Sequence, residues 1–259
     1  MAMERGLWPE RRAVATYRTS QIARIAGVHV NTVRLYEQWG FIPTAEREPN
    51  GYRVFTDVHV CQIKLVRAAL EIEVLQAGMR KKMLNVVKLS AQGRYEEALS
   101  LAESLLADVR RERANAVEAI DIVGRLIQEE PPPTSALMKR GEAARSLGVT
   151  IDTLRNWELN GLLAVKRQAN GYRVYSGEDM RILKIIRTLR CANYSLNSIL
   201  RMLRTLPHAG REGIALTLDT PPHDDDIVTA CDRLLTSLKL AEKNANTVID
   251  LIGELRGIR

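Results

Sequence analysis

The sequence predicts a mainly α protein with small β-hairpin wings, arranged as two winged helix-turn-helix units each followed by a long coiled-coil helix. Three observations carry that expectation. The first is a tandem repeat, which has to be read before any single element. Laying Tyr17–Pro43 over Met138–Ala164 at a constant offset of 121 matches eight residues: Ala23, Arg24, Gly27, Val28, Thr32, Arg34, Glu37 and Gly40. One deleted residue then brings Asn50-Gly51-Tyr52-Arg53-Val54 onto Asn170-Gly171-Tyr172-Arg173-Val174. The second is Asn-Gly before alternating side chains in both copies, a strong short-range hairpin signal. The third is a pair of apolar seams with coiled-coil spacing, one late in each half.

The bulk properties agree with this division. A chain of 259 residues allows about two domains, and the repeat splits it near residues 131–135. Net charge is +7, a sign that favours polyanionic partners. Its distribution says more: Tyr17–Phe55 carries five basic against three acidic residues, Ala136–Tyr175 seven against three, and Leu99–Glu130 four against seven. Positive charge sits on the repeated units. Cys61, Cys191 and Cys231 form no short-spaced pair, so no disulfide framework or zinc module is expected and a reducing cytoplasm is. No apolar run approaches the roughly 18 residues of a membrane span, and the N-terminus lacks a signal-peptide core. Neither secretion nor membrane insertion is expected.

Residues 1–16 hold Arg11-Arg12 without periodicity and read as a loosely ordered tail or as a basic arm for a minor groove. Residues 17–98 form the first winged-helix unit. Thr19 is placed to cap a short helix over Ser20–Ile25, which Gly27 closes. A second helix starts at Asn31 or Thr32, with Val33, Tyr36 and Glu37 at three- and four-residue steps, and stops at Gly40. Two short helices around a glycine turn make a helix-turn-helix. The hairpin after it, turning at Asn50-Gly51, makes a wing in which Tyr52 and Arg53 offer a phenol and a guanidinium to phosphates. Thr56 then caps a third helix, and a fourth covers Met79–Leu89.

Tyr95 leads into the first long helix, 99–130, whose Leu99, Ala102, Leu106, Val109, Arg113, Ala116, Ile120, Val123 and Ile127 make a seam with one polar break. At 1.5 Å per residue it spans about 45 Å, too long to bury its seam on one small domain. Residues 131–135, rich in proline, form an extended spacer. Residues 136–206 repeat the winged unit, with Ser176 and Asp179 set as a capping box. Residues 207–226, with Gly210, Gly213, Pro221 and Pro222, read as loop. The second long helix, 227–259, has its seam at Leu234, Leu238, Ala241, Ala245, Val248, Ile252 and Leu255.

Val28-His29-Val30-Asn31-Thr32-Val33-Arg34-Leu35-Tyr36-Glu37, Gly40-Phe41-Ile42 and Asn50-Gly51-Tyr52-Arg53 together resemble the MerR family of bacterial transcription regulators. Thr153-Leu154-Arg155-Asn156-Trp157-Glu158, Gly161-Leu162-Leu163 and Asn170-Gly171-Tyr172-Arg173-Val174-Tyr175 resemble it again, so the likeness spans nearly the whole chain. It implies that Thr32, Arg34 and Tyr36 lie on the recognition helix and Arg47, Tyr52 and Arg53 on the wing. The second-copy matches are Thr153, Arg155, Trp157, Arg167, Tyr172 and Arg173. Ser20 and Arg140, at the starts of the first helices, join the DNA-binding set. Base reading is expected at the helix starts, where His29, Val30 and Asn31 face Thr150, Ile151 and Asp152. Asn31 suits adenine and Asp152 suits cytosine, unless Asp152 is simply an N-cap.

The resemblance further implies double-stranded DNA as the partner, RNA polymerase at the promoter, and regulation by distorting a pseudo-palindromic site. Family members dimerise through the long helix. This chain holds two units, so one molecule as an intramolecular pseudo-dimer is expected, a homodimer with four winged helices being the other arrangement. The cysteines that mark metal-sensing members at the dimer helix are missing, as is the C-terminal domain of drug-sensing members, so no metal or cofactor is expected. A ligand, if one exists, belongs between the halves near the 207–226 loop. Two other functions fit the same residues: an architectural or excisionase-like DNA bender without transcriptional control, and a protein-binding module with one decayed wing. Enzyme chemistry has no support. His29, His59, His208 and His223 show no metal-ligand spacing, and no nucleophile, phosphate loop or carboxylate pair stands out.

Overall fold

A computed structural model describes residues 15–71, 77–128, 137–165, 171–205, 211–221 and 230–258. Most of the expected N-terminal tail, the proline spacer and Arg167 of the second wing lie outside them. The first repeat consists of β1 (Thr16–Tyr17), α1 (Thr19–Ala26), α2 (Val30–Gln38), β2 (Glu46–Arg47), β3 (Arg53–Thr56), α3 (Asp57–Leu70), α4 (Ala77–Ala91) and α5 (Tyr95–Gln128). The second consists of β4 (Met138–Lys139), α6 (Arg140–Leu147), α7 (Ile151–Leu159), β5 (Val174–Tyr175), α8 (Gly177–Cys191), α9 (Leu196–Thr205) and α10 (Arg211–Asp219). A 3-10 turn over Ala230–Arg233 then leads into α11 (Leu234–Gly257).

Both helix-turn-helix elements form for the same local reasons. Gly27 and Gly148 sit in the left-handed region at φ 64° and 62°, where a side chain is strained. There they close α1 and α6, as the amides of Val28 and Val149 return to the carbonyls of Ala23 and Ala144 at 2.9 and 3.0 Å. Gly40 and Gly161 end the recognition helices alike, with Phe41 N–H on Tyr36 O and Leu162 N–H on Trp157 O. In the first copy β2 pairs antiparallel with β3, Glu46 opposite Val54 and Arg47 opposite Arg53, across the Asn50-Gly51 turn. Missed by the sequence reading is β1, which adds a third strand on the other edge of β3, Tyr17 opposite Phe55. In the second copy β4 pairs with β5 in the same place.

The chain gathers into two compact units, and each draws on both repeats. The first takes the residues through Glu71, Arg80–Leu105 and Asn244–Arg259. Its core includes Ile22, Val33, Phe55, Ile63, Leu65 and Val66. Here Gln62, 1% exposed, donates from Nε2 to Phe41 O and Val87 O at 2.9 and 3.0 Å and accepts from Ser90 Oγ at 2.8 Å. This buried network ties the recognition-helix turn to the last turns of α4. The beginning of α5 meets the end of α11, with Arg256 2.7 Å from Glu96.

The second unit takes Leu106–Lys243, together with Ile72–Met79. Here the later part of α5 meets the beginning of α11. Arg113, the polar break in the first seam, and Arg110 both reach Glu242 at 2.7 and 2.8 Å. Ala116, Ile120 and Val123 of the first seam are buried, as are Leu234, Leu238 and Ala241 of the second. The stretch 207–226, expected as loop, contains α10. Ile214 and Leu218 lie four residues apart and are 1% and 0% exposed, a helical spacing that the flanking Gly and Pro concealed. Its last residue, Asp219, accepts from Leu235 N–H at 2.8 Å and from Thr236 Oγ1 at 2.6 Å. A carboxylate there satisfies free amides at the start of α11.

Candidate nucleic-acid interface

In the first unit His29 is the N-cap of α2, its Nδ1 accepting Asn31 N–H at 3.2 Å. That leaves Asn31 and Arg34 exposed on the helix, with Thr32 half-buried. Ser20 is exposed on the first turn of α1. The wing is braced by local hydrogen bonds: Glu48 N–H to Tyr52 O at 2.8 Å, Tyr52 N–H to Asn50 Oδ1 at 3.0 Å, and Arg47 Nη1 to Gly51 O at 3.3 Å. Tyr52 is 60% exposed. The Arg18 guanidinium lies 5.5 Å from its ring centroid, within cation–π reach.

Arg53 turns the other way. Its Nε meets Glu37 Oε2 at 2.7 Å, while Glu37 Oε1 accepts Ala45 N–H at 3.0 Å. The wing is thereby fastened to the recognition helix, and its arginine is neutralised by the helix it braces.

The second unit repeats the brace with one more cation. Glu158, its side chain 7% exposed, takes Arg173 Nε and Arg140 Nη2 at 2.8 Å each, and Tyr175 hydroxyl also donates to it. Burial, and then the hydrogen bond to Glu158, push the Tyr175 phenol above its ordinary pKa. Thr150 is the N-cap of α7, accepting Thr153 N–H on its hydroxyl at 3.0 Å. The N-cap reading of Asp152 is therefore corrected: Asp152 is the second helical residue and exposed, beside exposed Arg155. Thr153 is half-buried and Tyr172 is 69% exposed.

The structure thus brings together the start of the first helix, the recognition helix and the wing in the first unit, and the start of the first helix, the recognition helix and Arg173 in the second. It also sorts the expected residues. Tyr36 and Trp157 are 7% and 5% exposed. They seat the recognition helix in its core. Arg53, Arg140 and Arg173 serve the brace. Two features escaped the sequence reading. Glu37 and Glu158 were visible only as matched acids, since their arginine partners lie 15 or more positions away. Arg18 was hidden at the edge of the repeat; the offset of 121 pairs it with the exposed Lys139, a cation in both copies.

The MerR HTH family regulatory protein model matches this chain at residues 17–85 and again at 138–206. The chain belongs to the MerR family. Its relatives include the mercuric resistance operon regulatory protein of Serratia marcescens, 26% identical over 105 residues that cover 40% of this chain and 70% of that protein. The HTH-type transcriptional regulator YfmP of Bacillus subtilis is 29% identical over 126 residues, covering 47% of this chain and 90% of YfmP. Nodulation protein NolA of Bradyrhizobium elkanii is 42% identical over 60 residues, 23% of this chain and 27% of NolA. Nearly all of YfmP thus corresponds to less than half of this MerR chain, as two tandem units require. No solved structure matches the chain significantly. Among the described residues no helix is long and apolar enough to cross a membrane, and no cluster of His, Cys, Asp and Glu suits a metal ion.

Proposed function

We propose that this MerR-family chain is a DNA-binding transcription regulator that grips a pseudo-palindromic promoter site as an intramolecular pseudo-dimer. It distorts the duplex to change how RNA polymerase reads it. One observation carries the pseudo-dimer: each long helix ends on the other repeat. In the first unit Cys61 Sγ of α3 lies 3.5 Å from Leu251 O of α11. In the second, Arg181 Nη1 of α8 donates to Ile127 O of α5 at 3.2 Å. Positions 61 and 181 correspond once the one-residue deletion is allowed for. Such reciprocal exchange is what two-fold association of separate chains supplies, and here one chain contains both sides.

On this reading Arg18, Arg34, Arg47 and Tyr52, with Lys139, Arg155 and Tyr172, hold phosphates, and Ser20, Thr32 and Thr153 support them. Asn31 and Asp152 read bases, so the two half-sites differ, adenine suiting the first and cytosine the second. The test is selection from random duplexes, with the mass of the bound complex measured. An imperfect inverted repeat held by one 29.1 kDa chain supports the proposal. A complex with two chains shifts it to a homodimer with four winged helices. No enrichment, with binding that fades uniformly in salt, shifts it to an architectural DNA bender.

A further inference from the structure

The two repeats differ beside the recognition-helix turn. In the first unit that space is filled: the Gln62 network joins Phe41 O to Val87 O and Ser90, and the Phe41 ring packs 6.1 Å from Tyr36 and 5.6 Å from Trp39. In the second copy Gln62 becomes Ile182, Phe41 becomes Leu162 and Trp39 becomes Asn160. Moreover Ser90 becomes Gly210, so the hydroxyl of the network has no counterpart. Aromatic bulk and the polar cross-link are lost together. What remains is a cavity of about 760 Å³.

The lining has the character of a small-molecule site. Its walls are aliphatic, with Leu162, Leu163, Ile182, Ile185, Leu200 and Leu203. Leu200, Leu203 and Ile182 are only half-buried, so apolar surface stays in contact with water there. The volume falls in the range of pockets that enclose drug-sized ligands. Of the four charged lining residues, three are engaged. Glu178 pairs with Arg181 at 2.6 Å, Arg181 also holds Ile127 O, and Asp179 accepts Ser176 N–H and Oγ–H at 2.7 Å each in the first turn of α8. Arg204 lines the cavity, is exposed, and has no partner among the described residues.

We infer that this cavity binds an amphipathic organic anion, its apolar body against the leucines and isoleucines and its carboxylate or sulfonate on Arg204. Aliphatic walls drive burial of the body, and a guanidinium whose donors meet none of the described residues selects the anionic head. The site is proposed for the second repeat, because there Gln62, Phe41 and Trp39 are replaced.

The test uses the full chain and does not depend on DNA. Fluorescence of 1-anilinonaphthalene-8-sulfonate is titrated, and the bound probe is then displaced with decanoate, decanol or decylamine. One saturable site is expected, with decanoate displacing at about tenfold lower concentration than decanol and decylamine weakest. Arg204→Gln brings decanoate and decanol level. Leu203→Trp fills the cavity and removes the site; Ala164→Trp, at an exposed lining position, does the same from the edge should Leu203→Trp fail to fold by circular dichroism. A signal that never saturates, or that survives in both filled variants, overturns the cavity as a site. Decylamine displacing as well as decanoate, or Arg204→Gln without effect, overturns the anion.

Discussion

Replacing Glu158 by Gln tests the account of how the wing is held. The substitution keeps shape and removes the charge that faces Arg140 and Arg173, whose side chains are 24% and 31% exposed. Two hydrogen bonds to a carboxylate, each worth about 1.5–3 kcal/mol, become bonds to a neutral amide worth about 1 kcal/mol. The two guanidiniums then repel each other in a partly buried place. Both arginines retain some water, which recovers part of the loss, so the net cost is about 2–4 kcal/mol. Glu37→Gln is the internal control. Glu37 is 12% exposed and meets one arginine, so the same change costs about 1–2 kcal/mol. Urea unfolding of the full chain, followed by circular dichroism for the total loss and by tryptophan emission for the second unit, measures both. Of the tryptophans among the described residues Trp157 is buried and Trp39 is 51% exposed, so with Trp8 replaced by Phe the shift in tryptophan emission reports chiefly on the second unit. Glu158→Gln lowers the midpoint of that transition, and Glu37→Gln leaves it in place. An unchanged midpoint in Glu158→Gln, or an equal loss in Glu37→Gln, refutes the shared-carboxylate argument.

Further expectations follow from single contacts. Arg34→Ala and Arg155→Ala each weaken DNA binding across sequences alike and reduce the slope of log affinity against log salt by about 1, measured by anisotropy at several salt concentrations. Gly27→Ala destabilises more than Gly148→Ala in thermal unfolding. Both backbones are left-handed, a cost of about 1–2 kcal/mol, but an added Cβ meets Arg67 Nη1 at 3.1 Å in the first and Arg187 Nη2 at 3.7 Å in the second. Arg67 cannot yield freely, since the same Nη1 holds Ala26 O at 2.7 Å. Burial, then the Glu254 carboxylate, push the Cys61 thiol from 9.0 up to about 11. The native thiol therefore stays neutral where an unfolded one ionises, so this contribution to stability is full below pH 9 and is lost as pH rises through 11. Iodoacetamide at pH 8.5 accordingly labels exposed Cys191 before Cys61, read by peptide mass spectrometry; Cys61 labelling first would refute its burial.

Much of the site was legible because its signals are local. The Gly27 and Gly148 turns, the Ser176–Asp179 capping box, the Asn50-Gly51 wing turn and the seam of α11 each depend on residues within a few positions of one another. Short-range sterics and hydrogen bonding leave such elements little choice. The brace was not legible: Glu37 and Arg53, or Glu158 and Arg140, are far apart in the chain and look like ordinary surface charges. Nor was the burial of Tyr36 and Trp157, whose type suits a core or a phosphate equally well.

The sequence by itself determined that this is a duplicated MerR protein with two helix-turn-helix units, wings and coil-forming helices, because repetition and periodicity are properties of the chain alone. Only the tertiary structure decided that α5 ends against α8 and α11 against α3, that α10 caps α11, and that the second repeat keeps a cavity beside the recognition-helix turn. Those outcomes depend on which side chains meet after the chain has folded back on itself, and packing between distant residues leaves no periodic trace in the sequence.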